Sequence, residues 1–332
     1  MIRLPTHHRE GGGFINPWAS ARTHGFLDFL KWTLLERRRA PPGGLTEPAT
    51  FPRAVPAFVF PRPEPSLLTV TWVGHSTFLL QVGGLNVLLD PIWSDRASPL
   101  RFAGPRRRVP AAVDFDSLPP IDAVVLSHDH YDHLDAPTVH RLIERYPAIV
   151  WFAPLGVGDF LRGRGALSVV ECDWWQGAAV GALQLTCLPA QHFSGRRLDN
   201  RNATLWCGWA IRSAHHSILF AGDTGLHPEF GLIGERCGPF HVAILPIGAY
   251  EPRWFMGSVH MNPEDCMVAI QQLRGVRKAG RLVLVGAHWG TFKLTDEPVD
   301  EPPARMQANW RAGGLPEDDL WVMRHGETRA MT

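Results

Sequence analysis

A short apolar run, Ala123–Leu126, delivers the chain into Ser127-His128-Asp129-His130-Tyr131-Asp132-His133-Leu134-Asp135, with three histidines and three carboxylates in nine residues. So many polar groups behind a buried strand cost desolvation and mutual repulsion unless a cation satisfies them. The spacing is HxHxDH. On extended or turning backbone, His128 and His130 lie two apart and face one way, toward one ion. Asp132 and His133 come just before a helix predicted over Ala136–Tyr146 and face a second ion. Imidazole and carboxylate donors suit zinc, and are also compatible with Mn2+ or Fe2+. A solvated acidic turn with chance histidines is the bland alternative. A strand running into HxHxDH is far more specific than a lone histidine pair.

Two ions need more donors than one loop supplies, so other strand ends must deliver them. Three do so in the sequence: His192 after Leu183–Leu188, Asp223 after Ser217–Phe220, and His288 after Arg281–Val285. Each apolar run ends in a turn carrying one ligand-capable residue. Taken singly, each is more simply a hydrogen-bonded turn residue. Their recurrence behind HxHxDH reverses that.

Further strands are predicted over Leu68–Val73, Thr77–Val82, Asn86–Asp90, Ile149–Phe152, Leu205–Ile211, Val242–Pro246 and Leu320–Met323. A helix is predicted over Pro263–Leu273, with Asn262 as its cap, proline at its first position and acids in its first turn. Strands followed by helices, twice over, suit two sheets between helical layers. Residues 67–332 therefore read as one domain, preceded by an extension over residues 1–66. In that extension Phe26–Arg39 is a candidate helix that either packs on the core or lies at a membrane interface. Ala40–Ser66 carries eight prolines and is predicted to lack regular structure.

The formal net charge of +1 over 332 residues gives no global attraction to nucleic acid or an anionic membrane. Arg106-Arg107-Arg108 is a local basic patch, either simply solvated or touching an anionic headgroup. Five cysteines without CxxC spacing fit a reducing compartment. With no apolar leader and no span long enough for a bilayer, a cytoplasmic protein is expected.

The strings TWVGHST (71–77), DPIWSDRASP (90–99), LPPIDAVVLSHDHYDHLD (118–135), AGDTG (221–225), GAYEPRWFM (248–256) and HWGTF (288–292) together carry a resemblance. They are similar to the N-acyl-phosphatidylethanolamine-hydrolysing phospholipase D family of the metallo-β-lactamase superfamily. The similarity runs from about Phe14 to Glu327. It implies an α+β fold, an αββα sandwich of two mixed sheets between helices. It further implies one zinc on His128, His130 and His192, a second on Asp132, His133 and His288, and Asp223 bridging the pair. Tyr131 and His260 become substrate contacts, His260 able to polarise phosphate or protonate a leaving group. His75 is expected to support the ligands rather than to be one, and Asp129 and Asp135 to steady histidines or open the helix.

Two divalent ions, less two carboxylates and a bridging hydroxide, leave about one net positive charge in a partly dry pocket. That favours an anionic substrate, with Asp132 orienting the nucleophile. The expectation is a phosphodiesterase of phospholipase D type that cleaves an N-acyl phospholipid, with peripheral membrane contact, a homodimer implied by the resemblance, and no nucleic-acid partner. The alternatives are a lactonase acting on sugar-phosphate lactones and a non-catalytic, metal-containing lipid-binding protein. A nuclease fits less well, for want of a basic stripe beyond the short arginine run.

Overall fold

The computed structural model describes residues 5–19, 21, 24–36, 51–197, 199–275 and 280–331. Its strands are β1 (Leu68–Gly74), β2 (Thr77–Val82), β3 (Leu85–Leu89), β4 (Ala123–Val125), β5 (Val150–Pro154), β6 (Ser168–Cys172), β7 (Gly177–Val180), β8 (Leu183–Leu188), β9 (Gly208–Arg212), β10 (Ser217–Phe220), β11 (Val242–Pro246), β12 (Val283–Ala287), β13 (Leu320–Trp321) and β14 (Thr328–Met331). The helices are α1 (Phe26–Leu30), α2 (Ala136–Arg145), α3 (Gly158–Arg162), α4 (Phe230–Cys237), α5 (Arg253–Met256), α6 (Pro263–Arg274) and α7 (Glu301–Ala312).

Two seven-stranded sheets result, in the orders β14-β1-β2-β3-β4-β5-β6 and β13-β12-β11-β10-β9-β8-β7. Each sheet has an antiparallel part, where tight turns join β1 to β2, β2 to β3 and β7 to β8, and a parallel part. The β2–β3 turn uses Gly83 and Gly84, both at positive φ, as a two-residue hairpin requires. Parallel neighbours need a crossover, so α2 lies between β4 and β5, α4 between β10 and β11, and α6 between β11 and β12.

The period of two sorts the core into layers. In the first sheet Trp72, Phe78, Leu80, Val87, Leu89, Ala123 and Val125 face the second sheet and join Trp209, Phe220 and Ile244. Their neighbours Val73, Leu79, Leu88 and Val124 face the other way, onto Val139, Leu142 and Leu161 of α2 and α3. This is the αββα sandwich.

Most of the strands foreseen are present, and the differences have local causes. β6, β7 and β14 carry no strong apolar run: β7 alternates between exposed and half-buried, as an edge strand can. Leu205–Cys207 is buried but outside β9. Its amides reach across to the first sheet, Leu205 N to Leu155 O at 2.8 Å and Cys207 N to Ser127 O at 2.9 Å. The helix foreseen over Phe26–Arg39 is α1 followed by a π-helical turn over Lys31–Glu36, and residues 37–39 lie outside the described residues. Of the proline-rich stretch, residues 40–50 also lie outside them, and residues 51–66 form only one isolated bridge, Arg53 with His325. α6 starts as foreseen: Asn262 accepts from Asp265 N at 2.8 Å and Asp265 accepts from Asn262 N at 3.2 Å.

Candidate metal centre

After β4 the chain turns, with His133 N and Leu134 N both donating to His130 O, and then enters α2. That turn aims four side chains at the gap between the sheets. His128 Nε2 lies 2.8 Å from His130 Nδ1, which lies 3.2 Å from His192 Nε2. Asp132 Oδ2 lies 3.4 Å from both His133 Nε2 and His288 Nε2. Between these two groups sits Asp223 Oδ2, 3.1 Å from His133 and His288, 3.9 Å from His128 and 3.8 Å from His192. All seven sequence-predicted ligands therefore converge, in two sets of three sharing one carboxylate.

The second sheet delivers two of its three donors, Asp223 and His288, on constrained backbone. Gly222, before Asp223, has φ +60, and a Cβ there would come 2.5 Å from Ser127 Cβ; only glycine lets the two sheets' loops pass this closely. His288 itself sits at φ 61, its amide donating to His75 O at 3.1 Å. His75 and Asp90 also have positive φ, at 56 and 36. Such strain persists where surrounding contacts over-determine it, and it clusters at functional sites.

Outer partners set the tautomers. Ser127 Oγ donates to Asp90, so at 2.9 Å it accepts from His128 Nδ1. His133 Nδ1 donates to Asp90 Oδ2 at 2.7 Å, and His192 Nδ1 to Val259 O at 3.0 Å. In all three rings Nδ1 is thus engaged, and Nε2 is the nitrogen that faces the centre. His75 Nε2 lies 2.9 Å from Asp132 Oδ2 and so supports that carboxylate.

Burial first, then neighbouring imidazoles, push His128 well below its ordinary value and His130 to about 3. Burial likewise takes His192 to about 4 and His75 to about 3. Burial opposes ionisation of Asp132 and Asp223, but His133 and His288 outweigh it and hold both carboxyls well below the usual range. Conversely, the carboxylates lift His288 to about 9 against its burial, and raise His133 too. Yet His133 Nε2, His288 Nε2 and Asp223 Oδ1 are buried without a hydrogen-bonded partner. Buried donors aimed at common points but not bonded to one another are what a cation satisfies. The residues fit a divalent metal pair.

Asp129 and Asp135 steady no histidine, but Asp135 is the residue at which α2 opens, as foreseen. Asp129 Oδ1 accepts from Gly195 N at 2.8 Å, and Asp135 accepts from Ser94 and Thr138. The carboxylate that does hold a ligand histidine is Asp90, which the sequence reasoning passed over. It too ends an apolar strand, the same signal that found Asp223. Asn16 was also missed: its amide brackets the His192 backbone, donating to His192 O at 2.8 Å and accepting from His192 N at 3.2 Å.

Above the centre opens a cavity of about 980 Å³, with His130, Asp132, Asp223 and His260 among its lining and apolar walls that include Phe29, Trp32, Phe193 and Phe255. Arg9 and Arg201 add positive charge, while Arg197 is paired with Asp199 at 2.7 Å. His260 is 8% exposed; its Nδ1 lies 4.0 Å from Asp223 Oδ2 and has no hydrogen-bond partner. Burial holds this ring neutral, well below its ordinary value. Arg253 fixes it through His260 O at 2.9 Å.

Tyr131 lies elsewhere. Its hydroxyl donates to Arg196 O at 2.7 Å, its ring is covered by the Arg196 guanidinium, and it is not among the described residues lining the cavity. Of 248–256, Ala249, Phe255 and Met256 line the cavity, whereas Tyr250 is buried and donates to Glu301. Arg107 is not a solvated patch residue: buried, it donates to Ile92 O and Ser94 O, and burial lowers it to about 10.

Comparison with known proteins agrees with this geometry. Residues 85–289 match the beta-lactamase superfamily domain. A Caenorhabditis elegans protein named N-acyl-phosphatidylethanolamine-hydrolyzing phospholipase D 1 is 41% identical over 251 residues, 72% of this chain and 69% of that protein. The chain belongs to the N-acyl-phosphatidylethanolamine-hydrolysing phospholipase D-like family of the metallo-β-lactamase superfamily. An uncharacterised Mycobacterium tuberculosis protein, 45% identical over 287 residues, covers 85% of this chain and 73% of its own length. Among solved structures, a metallo hydrolase from Ignicoccus hospitalis superposes with a TM-score of 0.60 at 26% identity, over 80% of this chain and 99% of that one. Like its relatives in this family, the protein is a metal-dependent hydrolase. No helix among the described residues is long and apolar enough to cross a membrane.

Proposed function

We propose that the protein is a dinuclear zinc phosphodiesterase of phospholipase D type, acting on N-acyl phosphatidylethanolamine or a related phospholipid. The observation that carries this reading is the pairing of the Asp223-centred donor cluster with a large cavity that has apolar walls and arginines at hand. Such a space suits a diacyl phosphodiester better than a compact sugar lactone.

In this reading His128, His130 and His192 hold one ion, Asp132, His133 and His288 the other, and Asp223 lies between them. When bound, such a pair lowers the pKa of water toward about 7 and polarises a phosphoryl oxygen. The protein supplies the rest. Asp132, held by His75, presents a carboxylate to orient the attacking water. His260, neutral and unpaired at Nδ1, hydrogen-bonds a phosphoryl or leaving-group oxygen, and the proton that the leaving alcohol takes up is the one the attacking water gives up. The aromatic walls exclude bulk water, which strengthens each of these interactions.

Leu27, Leu34 and Leu35 are 80%, 74% and 81% exposed on the α1–π turn, whose Phe29 and Trp32 line the cavity. A lipid surface against these side chains gives the substrate a short path to the site. The test is a panel of N-acyl phosphatidylethanolamine, a bis-aryl phosphate and a lactone on purified protein of measured metal content. Release of phosphatidic acid and N-acylethanolamine is expected. Turnover of the lactone alone would overturn the phosphodiesterase reading.

A further inference from the structure

A third convergence of donors lies outside the dinuclear centre. His7 Nε2 is 2.6 Å from Asp173 Oδ1, and His8 Nε2 is 2.8 Å from Asp173 Oδ2. The three donor atoms lie within 4.8 Å of one another. Neighbouring residues on an extended chain point apart. Here a turn, with His8 N donating to Pro5 O, brings both imidazoles to one carboxylate.

The donors are held in place before any ion arrives. The His7 ring stacks on Trp174 at 4.1 Å, and the His8 ring meets Phe14 edge-on at 5.0 Å. Ile15 N donates to His7 O at 2.9 Å, and Asp173 N to Gln176 Oε1 at 2.9 Å. Two imidazoles, each against an aromatic ring, and a half-buried carboxylate match the donor preference of zinc and leave a fourth position for water.

We infer that His7, His8 and Asp173 form a separate zinc site, distinct from the hydrolytic centre. Its consequence runs along the chain. The hairpin pinned at His7 and His8 continues to Asn16, which brackets the backbone of the ligand His192, and Arg9 on the same hairpin lines the cavity. An ion at this site fastens the segment that supports one side of the dinuclear centre. The competing account is a clasp of two hydrogen bonds with no ion.

Untagged wild type, His8→Gln and Asp173→Asn are stripped with chelator and titrated with Zn2+, and bound zinc is counted by elemental analysis. Wild type should take up one equivalent more than either variant. Added zinc should raise the wild-type melting temperature beyond what it does for the variants, and each variant should keep the equivalents of the dinuclear centre, which also reports that it has folded. Equal zinc content in wild type and both variants would overturn the site. Because the readout is a difference in stoichiometry, it stands whatever substrate the hydrolase proves to take.

Discussion

The two sheets reach the centre by different means. From the first, a single loop after β4 brings His128, His130, Asp132 and His133 within six residues. From the second, β8, β10 and β12 each contribute one side chain, and each depends on a backbone feature of its own. A contiguous loop can lose one member and keep its neighbours roughly in place. A distributed set has no such local insurance, so the second sheet should be the more fragile supplier.

The harshest break is Asp223→Ala, which removes the carboxylate shared by both donor sets. Turnover should fall by about four orders of magnitude, as for residues that act as a unit, with loss of metal measured alongside. On the first-sheet side, Asp90→Asn leaves every ligand in place but weakens the hold on His133. A loss of about ten- to a hundredfold in metal affinity or activity is expected, measured by chelator competition. If Asp90→Asn proved as damaging as Asp223→Ala, the contrast between the sheets would fail.

Gly222→Ala sharpens the point without touching a ligand. Its methyl would meet Ser127 Cβ at 2.5 Å on a left-handed backbone. A stability loss of about 1–3 kcal/mol is expected, read in denaturant, together with displacement of Asp223 and reduced turnover.

The smallest effect concerns acid. Burial lowers His227, stacked on Trp18 and Phe230, and His325, tilted against Trp72 at 4.1 Å, to about 3. Above about pH 6.5 both rings are neutral, folded or unfolded, and their contribution to stability is intact. As pH falls from there toward 3, the unfolded chain binds protons that the folded one refuses, and stability drops. His227→Gln should make this acid decline shallower in unfolding curves recorded from pH 7 to pH 4. An unchanged slope would remove His227 from the account.

Legibility in the sequence follows the same division. HxHxDH announces itself because its donors are local. His192, Asp223 and His288 become visible only through the repeated pattern of an apolar strand ending in one polar residue. That rule also marks Asp90, although Pro91 rather than a small-residue turn follows it. Asp135 has a local partner in Thr138, but Gly195 on Asp129 and Ser94 on Asp135 lie far along the chain or across a loop, and local spacing carries no information about those two. β2, β8, β10 and β11 were foreseen at their observed limits because their apolar runs are fully or alternately buried. β14 was missed because Thr-Arg-Ala-Met owes its place to β1, not to its own composition.

That pairing has one more consequence. Leu68 lies opposite Met331, so the outer strand of the first sheet is supplied only after the whole second sheet has been laid down in sequence. The two sheets are therefore not a tandem pair that could fold in turn, because the chain closes like a belt whose buckle is β1 with β14. Folding must bring together residues very far apart in sequence, which favours slow, high-contact-order assembly. A nick between β6 and β7 would leave two pieces that still need one another, and mixing them should regenerate a single noncovalent complex rather than two independent domains.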